Sequence, residues 1–450
     1  MKNLLLLSCF LTGFGALAQE HFSGITTSRR GGLLNAGINP AELSNLQTTY
    51  EISVLSASLN LSSNRLGFND LVGGSNLEDK LFEGNSDVDL RFDGEIYGPG
   101  FAIKVDQWAF SFQTKAYAKI NFTDVDPTIG DAVTNSAVNA LFGSSTIQNN
   151  KNQRANGTAW GEIGFGISRI LYEDDEHKFS AGVNLKLLFP GSYANLGADK
   201  FRGTINNDLG QVTLTNASAN LNIAYSGELA QDFTEFNNYT SSLFGGLNGF
   251  ATDLGVNYQW KDLMDADNNS YKLNVGLAVR NLGSMTFKSS NNSATNYVLD
   301  VPEGEFLDLN QFQDVSSLEE IEQLLLQSGY LDAIVPTNRD FKVKLPAVFS
   351  AYADVKVIPD FYVTVFGQRK LNEDDANDQV TTQNVISVTP RYSTKKFEVY
   401  SPLASNEISG FTAGLGVGVG GFFIGSGSIL TALGNGEQAD IYFGFRLGLQ

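Results

Sequence analysis

Through most of this chain apolar and polar residues take turns, one for one, in runs of about ten. Ala181, Val183, Leu185, Leu187 and Phe189 alternate with Gly182, Asn184, Lys186 and Leu188. Phe349, Ala351, Ala353, Val355 and Val357 alternate with Ser350, Tyr352, Asp354 and Lys356. Leu273, Val275, Leu277 and Val279 form a third such row, and Ile441, Phe443, Phe445, Leu447 and Leu449 a fourth. A helix would bunch these residues three and four apart, whereas a strand sends successive side chains to opposite faces. Strands of ordinary sheets average about five or six residues. Crossing a bilayer on a tilted strand takes about 9–11. The length of the runs therefore predicts membrane-spanning strands.

Candidate strands fall at 50–60, 95–105, 108–120, 159–171, 178–190, 193–206, 210–226, 247–260, 270–281, 341–357, 360–370, 383–392, 396–402, 410–420, 422–430 and 438–449. The pair 193–206 and 210–226, rich in Asn, Thr and Ser, reads as a hairpin rising beyond the membrane. Discounting it predicts an all-β fold: a transmembrane antiparallel β-barrel of about 14 strands, within a range of 12 to 16. Connections alternate in length. Short turns at 105–107, 172–177, 358–360 and 393–396 interleave with long links at 121–158, 281–340 and 371–381, as in outer-membrane barrels. Trp108, Trp160 and Trp260 sit near predicted strand ends, where an interfacial girdle would place them.

Two segments depart from the wall pattern. Residues 19–48 precede the first strand and are expected to fold into the lumen as a plug or hatch. Residues 305–330 space Phe306, Leu309, Phe312, Leu318, Ile321, Leu324 and Leu325 at helical intervals, which predicts a helical insertion in the longest loop. Ser317 followed by Glu319 and Glu320 marks a helix start, with 317–327 as its body. At the chain start, Lys2, the apolar run 4–17 and Ala16-Leu17-Ala18 read as a signal peptide over 1–18 with cleavage before Gln19. The barrel proper is then 49–450. The only cysteine, Cys9, falls in that leader.

Composition narrows the function classes. Charged residues are 18% of the 450, against roughly 25% in soluble domains. The net charge of −19 argues against a nucleic-acid partner, which needs clustered Lys and Arg. Only His21 and His177 are present, and neither stands with the partners that a triad or a metal site needs. The expectation is a non-enzyme with no catalytic residues, no metal and no cofactor. Asp265, Asp267 and Asn269 begin like a calcium loop but meet Ser270 where glycine belongs. Gly414, Gly416, Gly418, Gly420 and Gly421 lack the following helix of a nucleotide loop. They read instead as a bare inward stripe against which the plug could pack. The other inward candidates are Lys115, Lys119, Asn184, Lys186, Lys272, Arg280, Tyr352, Asp354, Lys356 and Arg446, which could line a pore or form structural ion pairs.

The run Gly37 to Leu43, with Asn39-Pro40-Ala41 just before the first strand, resembles the start of FadL-like long-chain fatty-acid transporter barrels. It is closer still to Bacteroidota outer-membrane barrels, including those associated with type IX secretion. Lys344-Leu345-Pro346-Ala347 leading into a strand, followed by the Pro359 turn, is similar to the same superfamily. The resemblance implies a barrel of roughly fourteen strands with an inward N-terminal hatch, from which hydrophobic ligands leave sideways through a wall gap. One departure is the chain end, Leu449-Gln450, where such barrels often carry an aromatic residue. The expected function is passage or uptake of a small hydrophobic molecule across the outer membrane, with lipid around it and gating at Asn39, Pro40, Ala41 and helix 317–327. The alternative is a plugged barrel serving as scaffold or partner of a secretion or surface-anchoring machine.

Overall fold

A computed structural model describes residues 21–72, 77–134, 142–230, 232, 244–264, 270–288, 291–313, 315–334, 340–373 and 375–449. The proposed leader and the acidic run at 265–269 lie outside the described residues. One antiparallel sheet of twenty-one strand segments dominates. Fourteen strands close into a ring, because β14 pairs with β1 along its whole length. In chain order they are β1 Tyr50–Ser63, β2 Val88–Val105, β3 Trp108–Val125, β4 Asn152–Glu173, β5 His177–Asp208, β6 Gly249–Lys261 and β7 Tyr271–Phe287. There follow β8 (Phe341–Lys344 and Val348–Ile358), β9 Phe361–Lys370, β10 Val385–Ser393, β11 (Phe397–Tyr400 and Leu403–Asn406), β12 (Gly410–Ala413 and Leu415–Val419), β13 Phe422–Ser426 and β14 Gln438–Leu449. The three interrupted strands break at Pro346, Pro402 and Gly414.

The alternation read from the sequence is the in–out alternation of this wall. Leu59, Ile96, Phe112, Phe165, Leu185, Leu277, Phe349, Ile424 and Phe443 all stand exposed on the outside. An apolar belt of that extent is the lipid-facing surface of a membrane barrel, and a soluble monomer does not carry one. Among the described residues no helix is long and apolar enough to cross a membrane. Trp108 and Trp260 face outward near the short-turn end, each beside a cation: Arg169 lies 4.9 Å from the Trp108 ring and Lys272 5.2 Å from the Trp260 ring. Lys272 was expected inward; the register slips opposite Trp260 and Lys261 and turns it out. Trp160 is a second correction. It points inward, 2% exposed, and stacks on Tyr117 at 4.5 Å. Strand β4 is taller than the membrane, so its middle, not its end, carries this ring.

At the long-loop end β5 runs on past the wall and pairs with 211–226, which pairs with 293–308 and that with 331–333. This hairpin extension is the cap anticipated for 193–226. Its core packs Ile205, Leu214, Ile223, Leu299, Leu318 and Leu325. Residues 305–308, expected helical, finish a strand, and a short 3-10 turn follows at Leu309–Phe312. The helix itself is Leu318–Ser328. The Ser317 hydroxyl oxygen accepts from the Glu320 amide at 3.2 Å, and Gly329, at φ 79°, ends the helix. Buried Glu322 on this helix accepts from the hydroxyls of Tyr225, at 2.8 Å, and Tyr297.

Candidate functional site

Residues 21–47 lie against the inward faces of the wall and are almost entirely buried. Their polypeptide path is set by a few wall residues. Phe22 packs edge-on against Tyr97 and Phe423, and the Ser23 carbonyl accepts from Tyr442 Oη at 2.6 Å. The chain then reaches the short-turn end, where Arg30 donates to the carbonyls of Lys395 and Gly420 at 2.9 and 2.8 Å. Helix α1, Leu33–Ile38, turns back along the wall. Its first amide, Leu33 N, donates to Glu51 Oε1 at 2.6 Å, and Glu51 is paired with Arg446 at 3.0 Å. Its Gly37 carbonyl accepts from Arg280 at 3.1 Å. A carboxylate at the amino end and a guanidinium at the carboxyl end suit the helix dipole. Gly32, at φ 56°, leads into this helix, and any Cβ there would overlap the Glu51–Arg446 pair.

Asn39, Pro40 and Ala41 form the next turn. Asn39 Oδ1 accepts from Ala41 N at 3.0 Å, and Pro40 occupies the first position of the 3-10 helix. The turn sits on two directly opposed wall glycines, Gly182 and Gly255; a Cβ on Gly182 would come 2.5 Å from the Pro40 carbonyl carbon. The Ala41 carbonyl accepts from Ser168 at 3.1 Å and Ser180 at 3.3 Å. Next to it the Glu42 carboxyl gathers Asn257, Asn274 and Asn45 at 2.9, 3.0 and 2.9 Å, together with Tyr352 Oη. The Asn39–Glu42 turn is thus bonded to five wall strands (β4, β5, β6, β7 and β8), which makes it the most firmly held part of the segment.

The other candidates are placed as follows. Lys115 and Lys186 share Glu162, at 3.7 and 3.8 Å, and Lys186 also pairs with Asp253 at 2.8 Å. Asp354 pairs with Arg391 at 3.0 Å deep in the lumen, whereas Lys356 lies near the short-turn rim on Asp262, at 2.8 Å. Outside the wall strands, Asp262 is held below the usual carboxylate range by that hydrogen bond. Gly416 and Gly418 face inward, but Gly414 sits at the break in β12. Of the stripe, Gly420 meets the N-terminal segment directly, its carbonyl accepting from Arg30, whereas Gly416 meets it through a ring. Tyr400, cross-strand from Gly416, lays its ring in the space the glycine leaves, and the same ring meets Gly24. The same pairing recurs at Tyr352/Gly276, Tyr442/Gly425 and Phe423/Gly444.

Sequence reasoning did not single out Glu42, Glu51, Asp93, Glu162, Asp253 or Arg391. Alternation could have found several: Asp253, Gly255, Asn257 and Gln259 alternate with Leu254, Val256, Tyr258 and Trp260. His21 is buried, with Nδ1 2.9 Å from Ser58 Oγ and Nε2 3.7 Å from Asp93. This is not a nucleophile triad, because the His–Asp distance exceeds hydrogen-bond reach and Ser58 is buried.

Near the short-turn end the wall ladder lapses in direct contact with this segment. Between Ser53↔Gly100 and Ser56↔Tyr97 the β1–β2 pairing lapses. On β1 the register against β14 slips between Ser53 and Leu55, and on β2 the register against β3 slips between Tyr97 and Gly100. Each strand therefore carries one extra residue at the same height, and Val54 and Pro99 face each other by register. Pro99 has no amide to donate. Behind this inset lies α1: a Cβ on Gly100 would come 3.1 Å from Leu33, and one on Gly37 3.0 Å from the Tyr97 hydroxyl.

Several solved barrels are similar in shape. A monoaromatic hydrocarbon channel, the TodX deltaS2S3 mutant, covers 97% of this chain and 98% of its own at 9% identity and a TM-score of 0.45. The P. putida toluene transporter TodX covers 97% of each chain at 9% identity and 0.42. A Pseudomonas aeruginosa FadL homologue covers 96% and 98% at 9% identity and 0.41. No functionally curated protein matches the sequence. A family model described as a family of unknown function, DUF5723, matches residues 40–427. That match begins at Pro40, just after Asn39, and takes in the wall from β1 through β13, and the chain belongs to this family.

Proposed function

We propose that the protein is an outer-membrane barrel through which a small hydrophobic molecule passes, entering at the long-loop end and leaving sideways through the β1–β2 inset. Residues 21–47 are the hatch in this reading. The observation that carries it is the coincidence of two extra residues, Val54 and Pro99, in neighbouring strands with α1 directly behind them. A bulge on one strand only re-aims a side chain. Two at one height, in adjacent strands, leave a lapse in the ladder facing lipid. Export through the leader 1–18, with cleavage before Gln19, belongs to the same proposal.

Deleting Val54 and Pro99 together tests it. The double deletion keeps the β1–β2 register and restores regular pairing with β14 and β3, so the barrel should still form. Cells expressing it are expected to take up radiolabelled toluene and oleate at the rate of cells without the barrel, whereas the parent speeds uptake. Unchanged uptake by the shortened barrel would overturn the lateral route. Equal, background uptake by parent and variant would leave the scaffold role as the better account, with the paired lumen charges as its support.

A further inference from the structure

The wall is broken a second time, nearer the long-loop end. Strand β13 stops at Ser426, while its neighbours continue past it. Its last pairings are Leu415↔Ser426 with β12 and Gly425↔Tyr442 with β14. Residues 410–413 and 438–441 therefore face each other across a missing strand. A single helical turn, Ile429–Ala432, fills the place. It is joined to β12 by a bond from the Ala413 amide to Thr431 Oγ1 at 3.3 Å. On the β14 side Asp440 holds the preceding turn, accepting from Gly427 N at 2.6 Å and from Ser426 Oγ at 3.3 Å.

Outside this turn is a groove of about 260 Å³. Leu59, Leu61, Phe68, Ile429, Ala432 and Ile441 line it. Leu59 and Ile441 belong to the outward rows of β1 and β14, so the groove is continuous with the lipid-facing belt. Apolar walls of this kind do not hold water well. The polar groups at its base are already satisfied by one another, which leaves nothing to receive a charged headgroup. We infer that this groove is a binding site for one hydrocarbon chain of a bilayer lipid, seated where β13 is missing. The chain's contact is a short step from the lumen: a Cβ on Gly427, in the turn at the groove base, would lie 3.2 Å from Ser23 Cβ. This inference does not depend on the transport reading.

The test is native mass spectrometry of the full barrel extracted from phospholipid membranes in mild detergent. The parent is expected to carry a retained phospholipid. Leu59→Trp and Ile441→Trp fill the groove from outward positions that do not enter the core, and should lose that mass increment. Ile167→Trp, outward on β4, should keep it. Heat-modifiable gel migration reports that each variant folds. Equal retention in all four proteins, or equal loss with Ile167→Trp, means annular lipid only and overturns the site. Displacement of the phospholipid by equimolar oleate would overturn the assignment to a bilayer lipid and give the groove to a free fatty acid.

Discussion

Replacing Glu42 with alanine should release the N-terminal segment from the wall. In the parent, Asn274 Nδ2 and Tyr352 Oη both donate to the Glu42 carboxyl, and both residues are buried. Asn257 retains the Val275 carbonyl at 3.1 Å and Asn274 Oδ1 at 2.7 Å, so it is not orphaned by the change. Asn45 is half-buried and can turn to solvent. Two donors are therefore left without an acceptor while the segment stays docked. Each costs about 1–3 kcal/mol, so the docked state loses roughly 2–6 kcal/mol. Undocked, the same donors meet water and cost nothing. At 1.4 kcal/mol per tenfold, the docked-to-undocked ratio should fall at least about thirtyfold. Two assays read this directly. Arg29 and Arg30 offer trypsin a cut that the docked segment hides, and cleavage there should quicken in the variant in proportion to the ratio. In planar bilayers the parent should be closed and Glu42→Ala should show conductance bursts. Glu42→Gln, which keeps an acceptor oxygen, should lie between the two. If Glu42→Ala folds and is as trypsin-resistant and as silent as the parent, the carboxyl does not hold the segment and the argument fails.

Two further outcomes follow from the packing. Gly416→Val should push the Tyr400 ring toward Gly24, an overpacking that costs about 1–3 kcal/mol, and expose Arg29 and Arg30 to trypsin; adding Tyr400→Ala should restore resistance, and no rescue would mean that the ring is not the link. In the cap, burial and then the Glu322 hydrogen bond raise Tyr297 from 10.0 to about 12. The neutral phenol is the form the fold favours, so this contribution is complete below pH 10 and is lost as pH rises through 12. Hydrogen exchange of 318–328 should speed up across that window while wall amides stay protected, and Tyr297→Phe should remove the transition.

The wall was legible because a membrane barrel obeys one rule at almost every position: apolar out, small or polar in. That rule located all fourteen strands, and the Asn/Thr/Ser-rich pair 193–226 stood apart because its outward side faces water. It failed where local chemistry outweighed pattern. Residues 422–430 read as one strand, yet Asp440 captures Gly427 and Ser426 and turns the chain into a helix. Phe306, Leu309 and Phe312 have helical spacing, but they straddle a strand end and a 3-10 turn. The helix 318–328 was legible from its Ser317 cap, which is a local signal. The seat of the Asn-Pro-Ala turn was not: Glu42 meets Asn257 and Tyr352 across 215 and 310 residues of sequence, and no periodicity carries such a pairing.

The lumen charges decide what kind of path this barrel could offer. Lys186 lies between Glu162 and Asp253, Lys119 pairs with Asp93 at 3.1 Å, and Arg391 pairs with Asp354, all of them buried. Sliding an apolar solute past such pairs would separate charges that have no water to replace the partner, at about 3–5 kcal/mol for each pair broken. The axis is therefore the costly direction for a hydrophobic cargo while residues 21–47 are in place. The lapses in the wall are cheaper, because one side of each already faces hydrocarbon. Both are backed by the same stretch of chain, by Leu33 and Gly37 at the β1–β2 inset and by Ser23 at the end of β13. Between those two contacts the segment is tied to the short-turn end by Arg30, and just beyond the second it is fixed by Glu42. A movement of Phe22–Arg30 that leaves Asn39–Glu42 seated would take Ser23 from the upper break and, because Phe22 packs on Tyr97 at the edge of the lower one, would loosen that break as well, so the two share one backing.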